Sequence, residues 1–500
     1  FLGQDFFPQV DAGLIRLHFR ARPGLRVEET ARLCDGVEQV LRSEIPKEEL
    51  QTMLDNIGVP YSGINLSYAS SGVIGTNDAE ILIALDPEHH HPTAGYIRRL
   101  RRELPTRFPG VEFFFQPADI VSQILNFGLP APVDIQIVGA DMRSSYDIGQ
   151  RIANKLRLIP GAADVHVQQM LSLPTLYLDM DRTRINQVGL TAGNVAQSVL
   201  ISLSGSSQTT PDYWLNPKNG VTYPIAIQTP QYKMTSLQDL VNTPVTSGHG
   251  EMVPQVLGNL VQITPVARPA VVNHYNVQPV IDVYASTQGR DLGGVASDIM
   301  KALKPFEDHL PRGTRIIVRG QVETMRSSFF GLGLGLLGAI VLVYLLIVVN
   351  FQSWLDPFII ITALPGALAG ICWFLLITRT TLSVPSLTGA VMCMGVATAN
   401  SILMVSFARD RMDMGVPALQ ASIEAGYTRM RPVIMTALAM IIGMVPMALG
   451  IGEGGEQNAP LGRAVVGGLL FATVATLFFV PSVFTIIHGR REARLQSQQK

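Results

Sequence analysis

Five uncharged runs, all beyond residue 328, constrain this chain more than any other feature. They are Phe329–Val349, Phe358–Ile377, Val384–Ala408, Pro432–Gly452 and Ala464–His488. Each is long enough for an α-helix to cross about 30 Å of hydrocarbon, which takes about 20 residues. In hydrocarbon a backbone satisfies its polar groups only within a helix or a closed barrel, so five membrane-spanning helices are expected. Two of the runs carry small residues four apart, Gly331 to Gly335 and Gly366 to Gly370. Such spacing lets helix backbones approach closely.

Basic residues set the orientation. Loops 351–357 and 409–431 and the tail 489–500 hold Arg409, Arg411, Arg429, Arg431, Arg490, Arg491, Arg494 and Lys500. Loops 378–383 and 453–463 hold only Arg379 and Arg463. The richer set belongs in the cytoplasm by the positive-inside bias, which puts residues 1–328 across the membrane. The chain opens at Phe1 without a basic, apolar leader that could export them. The expectation is a piece of a longer protein with a further transmembrane helix upstream.

Composition narrows the remaining classes. Charged residues make up 15% and hydrophobic ones 47%, against roughly 25% charged in an average soluble domain. A net charge of −1 gives no basic field for gripping nucleic acid. Three cysteines provide neither a disulfide framework nor metal-ligand spacing. No Gly-rich loop with the Lys and Ser/Thr of a phosphate cradle follows a strand. Ser70-Ser71-Gly72 and Ser204–Ser207 lack a matching His/Asp arrangement and read as turns. His89, His90 and His91 are adjacent, do not converge on one ion, and read as a surface turn. Methionines 392, 394, 404, 435, 440, 444 and 447 read as apolar packing in preference to a soft-metal path. No metal site is expected.

The first 328 residues contain four strand–helix–strand units. Their first strands are Gly13–Ala21, Ala79–Ala84, Val133–Val138 and Val280–Tyr284. Their helices open near Val27 or cover Tyr96–Leu104, Tyr146–Leu156 and Leu292–Leu303. Their last strands begin near Gln51 or cover Val111–Phe115, Asp164–Val167 and Thr314–Arg319. Three last strands are entered through Pro109-Gly110, Pro160-Gly161 and Pro311-Arg312-Gly313. Paired βαβ units build ferredoxin-like sandwiches, so two are expected. Residues 203–266, rich in Gly, Pro, Thr and Asn, read as an inserted β-rich lobe.

Polar residues at membrane depth usually mark a pathway. Asn400 sits in the middle of the third run, with Thr398 and Ser401 beside it; Thr436 lies one turn into the fourth, behind Arg429 and Arg431. The plainer reading of Asn400 is an interhelical hydrogen bond. None of the five runs contains Asp, Glu or Lys.

Several stretches then resemble one family. They are Asp5-Phe6-Phe7-Pro8-Gln9-Val10-Asp11, Phe113–Val121 with Ile124–Gly128 behind it, Gly395–Leu403, Arg429-Met430-Arg431-Pro432 and Gly462–Gly468. In this order and spacing they resemble the C-terminal half of a resistance–nodulation–division (RND) efflux transporter of the acriflavine-resistance type. The resemblance implies an α+β membrane protein with ferredoxin-like porter subdomains, an inserted β-rich docking lobe and five transmembrane helices. The porter subdomains would be 1–130, and 131–202 with 267–324; the docking lobe 203–266; the helices about 325–350, 357–378, 384–408, 430–452 and 463–488; the cytoplasmic tail 489–500. It implies a secondary active transporter of the bacterial inner membrane, not an enzyme, with residues 1–328 in the periplasm. It implies proton antiport that exports hydrophobic or amphiphilic compounds, driven by the proton motive force without a cofactor. Implied partners are the N-terminal half of the same protein, a homotrimer, a periplasmic adaptor and an outer-membrane channel. Proton coupling is expected at Asn400, Arg429 and Thr436, with Ala399 where many drug pumps have Lys. The substrate path is expected at Phe113 and Phe115, joined by Tyr61 or Tyr68. The alternatives are a metal-ion exporter of the same fold and a non-transporting scaffold or protein-translocation accessory.

Overall fold

Strand β1 (Leu14–Arg20) sets the plan of the extramembrane part. Its period of two sends Ile15, Leu17 and Phe19 to one face and Arg16, His18 and Arg20 to the other. The apolar face packs beneath α1 (Val27–Glu44) and α2 (Thr93–Arg107), against Cys34, Val37, Leu41, Leu100 and Leu104. Two acidic residues, Glu28 and Glu29, open α1, where the helix dipole favours negative charge. With β2 (Leu50–Ile57), β3 (Asp78–Leu85) and β4 (Glu112–Gln116), β1 forms an antiparallel sheet of order β2-β3-β1-β4. That order, with both helices on one face, is the ferredoxin-like sandwich. The computed structural model describes residues 2–59, 73–247, 254–452 and 454–498.

A short helix, α3 (Ile120–Leu125), leads into a second sandwich. The strands that follow include β5 (Val133–Val138), β6 (Ala162–Val167), β7 (Leu173–Met180), β8 (Val261–Arg268), β9 (Gln278–Thr287) and β10 (Arg315–Gly320). Four of them repeat the first plan in the order β6-β9-β5-β10. Helices α4 (Met142–Leu156) and α5 (Leu292–Glu307) cover the apolar face, each capped by an aspartate, Asp141 or Asp291, that accepts a backbone N–H. The three expected entry turns share a left-handed glycine, at φ +86° for Gly110, +89° for Gly161 and +81° for Gly313.

Between β6 and β9 the chain makes a lobe with its own core of Ile185, Leu190, Val195, Leu240, Val245, Leu257 and Leu260. The lobe differs from the expected β-rich insertion over 203–266. It opens at β7, pairs β7 with β8 along their whole length, and includes helices Arg182–Gln187 and Ala192–Ser204. The partner of β7 lies some 80 residues on, a distance local periodicity does not bridge.

Among the described residues, five helices long and apolar enough to cross a membrane follow: Gln321–Phe351, Leu355–Ile377, Val384–Asp413, Ala418–Leu449 and Gly455–Glu492. They overrun the uncharged runs because charged side chains continue a helix once it leaves hydrocarbon. Residues 409–431, expected as a loop, are therefore helix apart from 414–417, and Arg429 and Arg431 lie three turns inside the fourth span. The second span likewise includes Asp356, and breaks at Thr362–Ala363 just before Pro365. The fifth contains a π-helical turn at Ala475–Phe479.

The two small-residue pairs part company here. A Cβ on Gly370 would stand 2.5 Å from the Gly467 carbonyl oxygen, and one on Gly366 2.9 Å from Ala475 Cβ, so the second and fifth spans touch backbone to backbone. Gly331, Gly333 and Gly335 meet nothing within 4 Å among the described residues. Gly370→Val should destabilise the bundle by about 1–3 kcal/mol through overpacking, whereas Gly333→Val should shift stability by less than about 0.5 kcal/mol. Denaturant unfolding of the purified protein in one detergent checks the contrast.

Candidate functional site

The helices cover one face of each ferredoxin-like sheet; the sheets adjoin at their edge strands β4 and β6, and the uncovered faces flank that seam. Phe114 of β4 is sandwiched between two imidazoles, with ring centroids 4.3 Å from His18 and 3.7 Å from His166, each at 18°. Arg20 reaches across from β1 and donates from Nη1 to the carbonyl oxygens of Val167 (3.2 Å) and Gln168 (3.1 Å). Its remaining nitrogens grip Asp78 at 3.0 and 3.2 Å, and Arg16 donates to Glu80 at 2.9 Å. From the second sheet come His166, Asp282 and Tyr284. Asp282 Oδ2 accepts from Gln169 and Asn273, both at 2.6 Å. At the rim Arg101 of α2 clasps Asp164 and donates to Gln288 at 3.0 Å, and Arg157 faces Glu112 at 3.5 Å.

This contact is dry and charged together. His18 is 0% exposed and His166 4%. Burial lowers both imidazoles, His166 to about 3, and the nearby Arg20 pushes the same way. Both rings are thus neutral near pH 7. Burial works against ionisation of Asp78, yet His18 and Arg20 together hold its carboxyl below the usual range. Burial raises Asp134 well above it, with Asp282 adding to the effect, and burial raises Asp282 as well. Among the described residues His18 Nδ1, His166 Nε2, both amide atoms of Gln116, Asp134 Oδ1 and Gln136 Oε1 have no hydrogen-bond partner. An interface with so many unmet polar groups gains by opening to water or to a polar guest.

Phe113 and Phe115 point into the helix-covered core, where Phe113 approaches Phe108 and Phe19 at 6.1 Å and Arg101 lies over Phe115. Phe114, on the opposite face by the strand's period of two, is the aromatic at the junction. Tyr61 and Tyr68 lie outside the described residues. The residues not singled out from sequence are His18, Asp78, Glu80 and His166. The signal was there, in charged residues alternating with apolar ones along β1 and β3.

In the bundle, Asn400 is 5% exposed. Its Oδ1 accepts from Thr436 Oγ1 at 3.2 Å, joining the third and fourth spans. One residue on, Ser401 meets Thr476 of the π-turn at 3.2 Å. Thr436 and Ala399 are exposed on the surface of this chain, so the polar layer borders an open face. Arg429 stands apart: its guanidinium lies over Phe407, 5.1 Å from the ring centroid, and its Nε has no partner among the described residues. Nearer the cytoplasm, Asp356 accepts from Arg409 (2.8 Å) and lies 2.9 Å from His488 Nε2, tying the second, third and fifth spans.

One cluster among the described residues, Cys34, Glu38 and Asp55, brings three possible metal-ligating atoms within 4.8 Å of one another. Burial and the neighbouring carboxylates push the Cys34 thiol up to about 12, and it donates weakly to Asp55 at 3.8 Å.

Comparison with known proteins fits this architecture. The chain is 26% identical over 502 residues to the cobalt-zinc-cadmium resistance protein CzcA of Cupriavidus metallidurans, covering 98% of this chain and 46% of that protein. It is 28% identical over 509 residues to the nickel-cobalt-cadmium resistance protein NccA of Alcaligenes xylosoxydans xylosoxydans, covering 99% and 45%. The crystal structure of a heavy metal efflux pump superposes with a TM-score of 0.79 at 22% identity, over 98% of this chain and 48% of that one. The chain thus spans about half the length of the curated relatives it matches. The model of the AcrB/AcrD/AcrF family matches residues 1–488, and the chain belongs to that family of RND inner-membrane permeases.

Proposed function

We propose that this chain is half of a proton-driven exporter whose cargo is a divalent metal cation. The observation that carries the reading is the junction between the two sheets. It presents His18, Asp78, Glu80, His166 and Asp282, where a path for hydrophobic compounds would need an apolar lining. The metal-resistance names of the relatives support the same cargo over the hydrophobic or amphiphilic one. Neutral imidazole nitrogens suit borderline cations such as zinc, cobalt and nickel, and carboxylates add charge. With the sheets together, Arg16 and Arg20 neutralise Glu80 and Asp78; with the sheets apart, a cation competes for those carboxylates. By analogy with its family, the protein would work as a trimer with a periplasmic adaptor and an outer-membrane channel.

For coupling, Asn400 and Thr436 offer hydrogen bonds but no titratable proton. They support a role as neutral partners to an ionisable group supplied across the open face beside Ala399. Arg429, two turns nearer the cytoplasm and held over Phe407, would act as a fixed positive charge at the mouth of that path.

Three outcomes test this reading. Full-length transporter in vesicles should export zinc or cobalt against a gradient, and His18→Ala should lower that rate on the order of tenfold, a lost contact of about 1.4 kcal/mol. Export of a hydrophobic dye with no cation movement would overturn the cargo assignment.

The second concerns pH. Separation returns His18 and His166 towards the free imidazole value of about 6.5. Because burial lowers both, the closed contact is fully favoured above about 6.5 and weakens as pH falls towards the closed-state values. Spin labels at Arg102 and Leu158 should move apart between about pH 7.5 and about 5, and His166→Phe should flatten the response. Among the facing groups, Arg20 and Arg157 reinforce the effect, Tyr284 stays neutral, and Asp78 moderates it at His18.

The third concerns coupling. Asn400→Ala should abolish or strongly lower proton-coupled export at normal expression, with Thr436→Val milder. Unchanged transport by the Asn400 variant would reduce the pair to a packing contact.

A further inference from the structure

Helix α3 is inverted. A helix on a water-facing surface turns its apolar side inward. Here Ile120, Ile124 and the following Phe127 are 73%, 67% and 68% exposed, and Val121 is exposed beside them. Ser122, Gln123 and Asn126 turn inward instead, with Gln123 donating to the carbonyl oxygens of Pro117 and Ala118. The inversion is held firmly: Asp119 caps the helix by accepting from Ser122 N at 2.7 Å. Phe127 adopts a left-handed backbone at φ +57°, strained for an aromatic residue, in a place that holds its ring outward.

The position of α3 says what covers this face. The segment is bracketed by the membrane-proximal ends of two strands. On one side β4 ends at Gln116, paired with Arg16 near the start of β1, and the chain just before β1 is tied to the top of the fifth span through Asp11 N and Glu456, 2.9 Å. On the other side the Pro132 carbonyl accepts at 2.9 Å from the amide of Gln321, the first residue of the first span. Phe330, the first large apolar residue exposed on that span, is under three turns further on. Leu125, the apolar residue of α3 that points inward, joins a cluster that also takes in Phe6, Phe329 and Val384, the last two at the outer ends of the first and third spans.

We propose that Ile120, Val121, Ile124 and Phe127 form an apolar foot that rests among the lipid headgroups of the leaflet facing residues 1–328. Its partner is the lipid surface. Such a foot fixes the height of the link between the two ferredoxin-like subdomains, because α3 leads directly from β4 into β5.

The test uses full-length protein in vesicles of phosphatidylethanolamine and phosphatidylglycerol, with Cys372→Ser to remove the exposed native thiol. A spin label on Ile124→Cys should collide with oxygen several-fold more often than with a water-soluble nickel chelate, while a label on Leu158→Cys shows the reverse. Preference for the chelate at 124 would place the foot in water and overturn the proposal. Suppression of both collisions would mean that another part of the transporter covers it, which also overturns it. Ile120→Cys supplies an independent second position should the label at 124 prevent reconstitution.

Discussion

The two sheets adjoin at their edge strands, β4 beside β6, and the helix-free faces that flank this seam are polar. Everything about the extramembrane part follows from that meeting. Charges removed from water must be paired, which is why Arg20 holds Asp78 with two bonds and Arg16 holds Glu80. Imidazoles removed from water lose their protons, which is why His18 and His166 can stack flat on Phe114 without repelling Arg20. The pairing remains incomplete at Gln116, Asp134 and Gln136. An apolar core with the same area would be harder to part, because it would leave no polar group without a partner.

The membrane part obeys the opposite rule. Hydrocarbon adds little driving force between helices, so close packing has to do it. The second and fifth spans meet at glycines, with Gly370 against the Gly467 carbonyl, and the third and fifth at Gly389 and Gly468, where a Cβ would strike Leu461 O and Cys393 Sγ. The first span buries little of itself against this chain. A bundle so closely fitted on one side and open on the other positions Asn400 and Thr436 at the border between the two.

How far the sequence carried this is uneven, for physical reasons. The βαβ units, their glycine turns and the five spans were legible because each is written in local periodicity and local backbone chemistry. The inserted lobe was legible only in part, because β7 finds its partner β8 beyond some 80 residues of intervening chain. Span ends were misjudged where lack of charge stood in for helicity, which left Arg429 and Asp356 outside helices that contain them. The phenylalanines show the sharpest limit. Alternation separated Phe114 from Phe113 and Phe115, but which face would meet the second sheet depends on packing between subdomains. The charged alternation of β1 and β3 carried that answer, since a face bearing Arg16, His18 and Arg20 cannot lie under apolar helices.

The distribution of charge along the bundle gives the last step. At the outer end Arg463 donates to the Ala448 carbonyl at 2.9 Å and to Thr380 at 2.7 Å. At the inner end Asp356 is held by Arg409 and His488. Between these two belts the paired polar groups on the third span are neutral: Asn400 with Thr436, and Ser401 with Thr476. The paired carboxylate, guanidinium and imidazole groups thus sit in the two end belts, and the paired groups between them are amides and hydroxyls, which cost less to bury in lipid. Neutral groups can orient and stabilise a charge that changes protonation beside them, but they cannot themselves carry the proton. Under the proposed coupling, such a charge would meet this half at the exposed strip formed by Ala399 and Thr436, with the Asn400 amide one residue behind it and turned towards Thr436.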